Sequence, residues 1–130
     1  MHYCLSCNNE LKNKRNTLLK YCNNSCQMNF QHEKYIKEWI NGDQKGHVGK
    51  TLGLSAYIRR YVYALYGEGC QQCGWNERHP IDNARLTEID HIDGDAENCK
   101  LENLRILCPN CHSMTVTYKA RNKNSKRIRK

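Results

Sequence analysis

Apolar residues are sparse along the chain, and they gather into a few periodic stretches. Met28, Tyr35, Ile36 and Trp39 recur at spacings near three and four, which predicts a helix starting at Met28 and stopped by Gly42. Leu54, Tyr57, Ile58, Tyr61, Val62 and Leu65 trace one face at i, i+3, i+4, i+7, i+8 and i+11. They predict a second helix closed by Gly67, with Arg59, Arg60 and Tyr63 off the apolar stripe. Between the two, residues 41–53 hold four glycines and no apolar period, so they read as a flexible linker and a domain boundary. Further on, Leu86-Thr87-Glu88-Ile89 alternates as a strand does, Asp93-Gly94 reads as a turn, and Leu104-Arg105-Ile106-Leu107 reads as a second short strand. Pro109 suits the first turn of a helix running through Cys111, His112 and Thr115 to about Tyr118.

The composition changes this picture by limiting the core. Only 38% of the 130 residues are hydrophobic, and there is a single Phe, so apolar burial alone offsets little of the chain's conformational entropy. Cysteine supplies the other means of holding it together. Eight of the nine fall into close pairs: Cys4 with Cys7, Cys22 with Cys26, Cys70 with Cys73, and Cys108 with Cys111. A tetrahedral thiolate site needs four soft ligands on tight turns, and two such pairs make one, so two structural Zn²⁺ sites are expected. A redox role for a lone C-x2-C leaves the duplication unexplained. Cys99 has no partner by spacing and reads as a free thiol. His2, His32, His47 and His79 read as surface or packing residues. Pairing of this kind fits a reducing compartment. The first residues lack the apolar run of a signal peptide, and no stretch reaches the roughly 18 apolar residues of a membrane span. An intracellular, non-secreted protein without membrane association is expected.

Charge points to a polyanionic partner, since Lys and Arg gain affinity for nucleic acid by releasing its counterions. The formal net charge is +8, but it is unevenly spread. Residues 1–66 carry ten basic and four acidic residues, residues 67–118 carry four and nine, and residues 119–130 carry seven basic residues and no acid. The last segment has one large apolar side chain, Ile128, and reads as a basic tail.

The segment Glu88-Ile89-Asp90-His91-Ile92-Asp93-Gly94-Asp95, followed by Glu102-Asn103-Leu104-Arg105-Ile106-Leu107-Cys108-Pro109-Asn110-Cys111-His112, closely resembles the H-N-H family of nucleases. The three letters fall on His91, Asn103 and His112, and the likeness covers roughly residues 70–118. The N-terminal Cys module and Gly-rich stretch resemble, more loosely, the accessory part of small phage-encoded members. The resemblance implies a small, metal-stabilised α+β fold: a ββα-metal (His-Me finger) core with helical flanks and an N-terminal zinc knuckle. It divides the chain into a zinc-finger-like module with its helix (1–40), the linker (41–53), the nuclease domain (54–118) and the basic tail (119–130). The implied activity is metal-dependent hydrolysis of DNA phosphodiester bonds, leaving a 5′ phosphate, in a phage homing or nicking endonuclease. A non-catalytic zinc-stabilised nucleic-acid-binding module and a restriction or packaging-associated nuclease are the alternatives.

The residue types suit that chemistry. Phosphodiester hydrolysis needs a base for water and a cation for the charge on the transition state. A neutral imidazole, with its pKa of about 6.5, serves as base, and His91 is the candidate. The resemblance assigns Asp90 and His112 to a catalytic Mg²⁺ or Mn²⁺, and gives Asn103 a supporting role, bracing the loop that aims the base. Strand alternation alone would send Asp90 and His91 to opposite faces, so the strand must end or twist there. Some relatives carry a further His four residues after the last motif His. Val116 stands there, leaving two protein ligands and open positions that favour a hard divalent ion. A calcium loop built on Asp90, Asp93, Asp95 and Glu97 is disfavoured, because Gly94 falls in the wrong place for one. Arg59, Arg60, Lys119, Arg121, Lys123, Lys126 and Arg127 are the candidate contacts to DNA, expected to be duplex, in a monomer or homodimer.

Overall fold

Helix α1 (Asn24–Ile40) begins four residues before the apolar period does, because its start is set by a polar cap: the Asn23 side chain accepts from the Cys26 amide at 2.9 Å. The computed structural model describes residues 2–11, 19–123 and 125–126. Ile36 and Trp39 are the buried positions of α1, whereas Met28 is 62% exposed and no part of the core. Gly42, at φ +91°, follows the helix end. Helix α2 (Ala56–Tyr66) is capped by Ser55, whose hydroxyl accepts from the Tyr57 amide, and Gly67 closes it at φ +81°. Ile58, Val62 and Tyr63 are buried, while Leu65 is exposed. Tyr63, off the apolar stripe in the sequence, is buried because its hydroxyl reaches the Thr87 carbonyl at 2.9 Å and satisfies its polar end.

The chain is a small α+β protein; among the described residues, two-residue and four-residue strands form three separate hairpin-like pairs. β1 (His2–Tyr3) pairs with β2 (Glu10–Leu11), β3 (His47–Val48) with β4 (Gly53–Leu54), and β5 (Glu88–His91) with β6 (Leu104–Leu107), all antiparallel. In the last pair Asp90 stands opposite Arg105 and His91 opposite Leu104. Ile36 and Trp39 of α1, Ile58, Val62 and Tyr63 of α2, and Leu104 and Ile106 of β6 form one core. Full burial of side chains such as Ile58, Val62 and Ile106 stabilises by about 1.5–3 kcal/mol each.

Residues 41–53 lie between two helices that both contribute to that core. The segment carries the β3–β4 pair, and the Ser55 amide donates to the Gly46 carbonyl at 2.8 Å. Gly46 has φ +90°, and a Cβ there would lie 2.7 Å from Ile58 Cδ1 and 2.8 Å from Cys99 Cβ. The glycine is required by close packing, not by mobility. Helix α1 therefore shares its core with the segment expected to be a separate domain.

After β6 comes α3 (Pro109–Ser113), shorter than the helix expected to reach Tyr118. The Ser113 hydroxyl donates to the Asn110 carbonyl and that of Thr115 to the His112 carbonyl, and the β-branched run Thr115-Val116-Thr117 disfavours further helix. Leu107, Cys108 and Cys111 pack against Cys70 and Trp75 in a second, smaller cluster. The part of the tail that is described turns back on the protein instead of standing free. Residues Lys119–Arg121 form a 3-10 turn, and the Asn122 side chain donates to the Gly94 carbonyl at 2.7 Å. No helix among the described residues is long and apolar enough to cross a membrane.

Candidate metal centres and active-site groove

The four N-terminal cysteines, Cys4, Cys7, Cys22 and Cys26, converge, and so do Cys70, Cys73, Cys108 and Cys111, with the sulfur atoms of each set all within 4.8 Å of one another. Four thiolates at about 2.3 Å from a zinc ion stand about 3.8 Å apart. The Cys7–Cys22 and Cys73–Cys108 sulfur separations of 3.5 and 3.7 Å fit that geometry. The two sets are built alike. The Cys4 amide donates to the Asn9 carbonyl and the Cys4 carbonyl accepts from Asn8; the Cys70 amide donates to the Trp75 carbonyl and the Cys70 carbonyl accepts from Gly74. In both knuckles the residue four beyond the first cysteine has positive φ, 63° at Asn8 and 82° at Gly74.

The electrostatics repeat as well. Burial pushes the Cys4 thiol up, but backbone donors around it, from Cys7, Cys22 and Ser6, outweigh this and bring it down to about 6. Cys70 is likewise brought down to about 6, against its burial, by the backbone around Cys108, Cys73 and Gln72. In each set another thiol is pushed up to about 12: Cys22 chiefly by its hydrogen bond with Cys7, Cys111 chiefly by burial. One sulfur in each set thus ionises readily while its neighbours resist accumulating negative charge, and a bound dication removes that resistance. Both sets can hold zinc.

Asp90 and His91 end β5, and the chain turns at once, the Ile92 amide donating to the Asn103 carbonyl and the Gly94 amide to the His91 carbonyl. Both side chains line one open groove of about 1200 Å³, with His112 from α3. Asp90 Oδ1 lies 3.5 Å from His112 Nε2, and its Oδ2 accepts from Arg105 Nε at 2.9 Å. His112 Nδ1 lies 3.3 Å from Glu88 Oε2. Two donors 3.5 Å apart, one carboxylate oxygen and one imidazole nitrogen, suit a divalent ion with open positions. Val116 is 84% exposed.

Asn103 is buried and saturated: its amide group donates to Asp93 Oδ1 and the Asn98 carbonyl, and its oxygen accepts from the Asp93 amide. Burial pushes the Asp93 carboxyl up, but hydrogen bonds from Asn98, the Asp95 amide and Asn103, with the nearby His91, hold it below its usual range. Asp93 is thus occupied in bracing the loop.

The groove wall also carries Arg59, Arg85 and Lys119. Arg60 is exposed and donates to Asn29 at 3.3 Å; Arg121 and Lys123 are exposed. Lys126 pairs with Asp95 at 3.0 Å and Glu97 at 3.3 Å, which raises its pKa, so its charge is engaged within the protein. Arg127 lies outside the described residues. Sequence reasoning missed Arg85, whose guanidinium lies 3.6 Å over the Tyr63 ring and pairs with Glu68. It also missed Arg105 and Cys99. The strand pairing that sets Arg105 against Asp90 could have been found by aligning the two short strands around their turn.

Residues 70–115 match the family model of the HNH endonuclease. The H-N-H endonuclease F-TflIV of Escherichia phage T5 is 38% identical over 53 residues, 41% of this chain and 22% of that protein's length. No solved structure matches. Residues 70–115 are thus similar to the HNH endonuclease domain, and the chain spans about a fifth of the length of the curated relative it matches.

Proposed function

We propose that the protein is a metal-dependent DNA endonuclease, with β5, β6 and α3 as its ββα-metal core and His91 as the general base. The observation that carries this reading is the convergence of Asp90 and His112, 3.5 Å apart, beside His91 in a groove walled by Arg59, Arg85 and Lys119. Asp90 and His112 would hold a single Mg²⁺ or Mn²⁺, which supplies charge stabilisation to the phosphorane-like transition state and the departing 3′ oxygen. His91 takes a proton from the attacking water, leaving a 5′ phosphate. Asn103 keeps the 93–98 loop in the shape that aims His91. Arg59, Arg85 and Lys119 grip phosphates of the duplex on either side. The two zinc sites are structural, and the N-terminal one, with α1, belongs to an accessory module of the kind a phage homing or nicking enzyme uses.

Supercoiled plasmid offered with Mg²⁺, Mn²⁺ or EDTA tests the reading. Nicking with either metal and none with EDTA is expected, and His91→Ala should slow it about a hundredfold or more. A zinc-loaded wild-type protein that binds plasmid but relaxes none of it under either metal is a binding module instead.

A further inference from the structure

Cys99, which has no role in either cysteine set, lies deep beside the base. It is 3% exposed, and its sulfur is 3.6 Å from His91 Nε2. The same sulfur is 3.2 Å from the Ala96 carbonyl, an acceptor only, so the thiol proton is used there. What the sulfur then presents to His91 is lone-pair density, which suits Nε2 as the donor. A ring in the Nε2–H tautomer fits this contact and carries its basic lone pair on Nδ1.

The position of Cys99 is in turn set from outside the HNH segment. The indole Nε1 of Trp39, on α1, donates to the Cys99 carbonyl at 2.8 Å in a buried contact. Gly46 closes the other side, with no room for a Cβ against Cys99 Cβ.

We infer that Cys99 is a positioning residue for the His91 base, holding its tautomer and aim through sulfur, and that α1 exerts this control through Trp39. In the reaction Nδ1 takes the water proton, and the imidazolium so formed keeps its Nε2–H on the sulfur. The accessory helix thereby acts on the catalytic step as well as on the core.

The inference rests on His91 being the base, and two measurements keep the two apart. Nitrogen NMR of the imidazoles in the zinc-loaded full chain, followed across a pH series so that the neutral ring is identified directly, reads the tautomer without any turnover. His91 is expected as Nε2–H; an Nδ1–H ring overturns the inference even if His91→Ala abolishes cleavage. A His91→Ala protein with full activity removes the base reading and leaves the tautomer to be read on its own. In plasmid cleavage, Cys99→Ala should lower kcat about tenfold or more with KM little changed, the loss typical of removing an orienting partner. Cys99→Ser, whose hydroxyl can donate to Ala96 and accept from Nε2, should recover most of it, and Trp39→Phe should lower kcat in the same sense. Cys99→Ala at wild-type kcat overturns the inference. Should Cys99→Ala fail to retain its zinc, the wild-type tautomer decides.

Discussion

Arg105 shows how a residue outside a motif can govern one inside it. Standing opposite Asp90 across the β5–β6 pair, it occupies Oδ2 and leaves Oδ1 turned to His112. Arg105→Gln removes that restraint and leaves a largely buried carboxylate short of a strong donor. Mn²⁺ activation of cleavage should then require about tenfold to a hundredfold more metal, while the zinc content stays as in wild type. An unchanged activation curve would show that Arg105 has no hold on the proposed metal ligand Asp90. At this scale residue type and spacing single out side chains that the fold does bring together: Asp90, His91 and His112 in one groove, and the eight paired cysteines in two sets of four. Arg105, Arg85 and Cys99 are not singled out this way, because strand register sets Arg105 on Asp90, a ring face holds Arg85 in the groove wall, and a loop path brings Cys99 to His91.

The elements were legible in proportion to their length. Helices α1 and α2 carry an apolar period and glycine stops, and only their starts, set by the caps Asn23 and Ser55, lie outside that signal. The two-residue strands β3 and β4 have no period to detect, and the packing role of Gly46 leaves no mark in composition. Gly46 and Gly49 separate packing from flexibility. Both have positive φ, +90° and +71°, but a Cβ at Gly49 meets nothing within 4 Å whereas at Gly46 it strikes Ile58 and Cys99. Gly49→Ala should cost roughly 1 kcal/mol, the left-handed backbone penalty alone. Gly46→Ala adds overpacking and should cost roughly 2–4 kcal/mol in all. Urea unfolding of the zinc-loaded protein measures both; equal midpoints would mean that 41–53 is the loose linker its glycines imply.

For the molecule as a whole, the metal sites and the charge pattern make one system. With Cys22 and Cys111 pushed up to about 12 in the metal-free protein, zinc must displace protons to bind, so its affinity rises with pH and falls on acidification. Zinc released to a chelator should therefore increase as pH is lowered from 7, with unfolding of the small core following metal loss, and no comparable release should occur on raising the pH. Metal loss matters beyond stability because Cys108 and Cys111 sit at the start of α3, the helix that carries His112. On the proposed reading DNA meets the groove through its basic residues, and the basic residues of this face are not equivalent. Lys119 lines the groove, whereas Lys126 already pairs with Asp95 and Glu97. Each phosphate contact contributes about 0.9 to the slope of log affinity against log salt. Fluorescence anisotropy on a short duplex should show Lys119→Ala flattening that slope by about one contact, with Lys126→Ala leaving it unchanged. The opposite ranking would mean that the tail lets go of the 95–97 loop when DNA arrives, exchanging two carboxylates for phosphate.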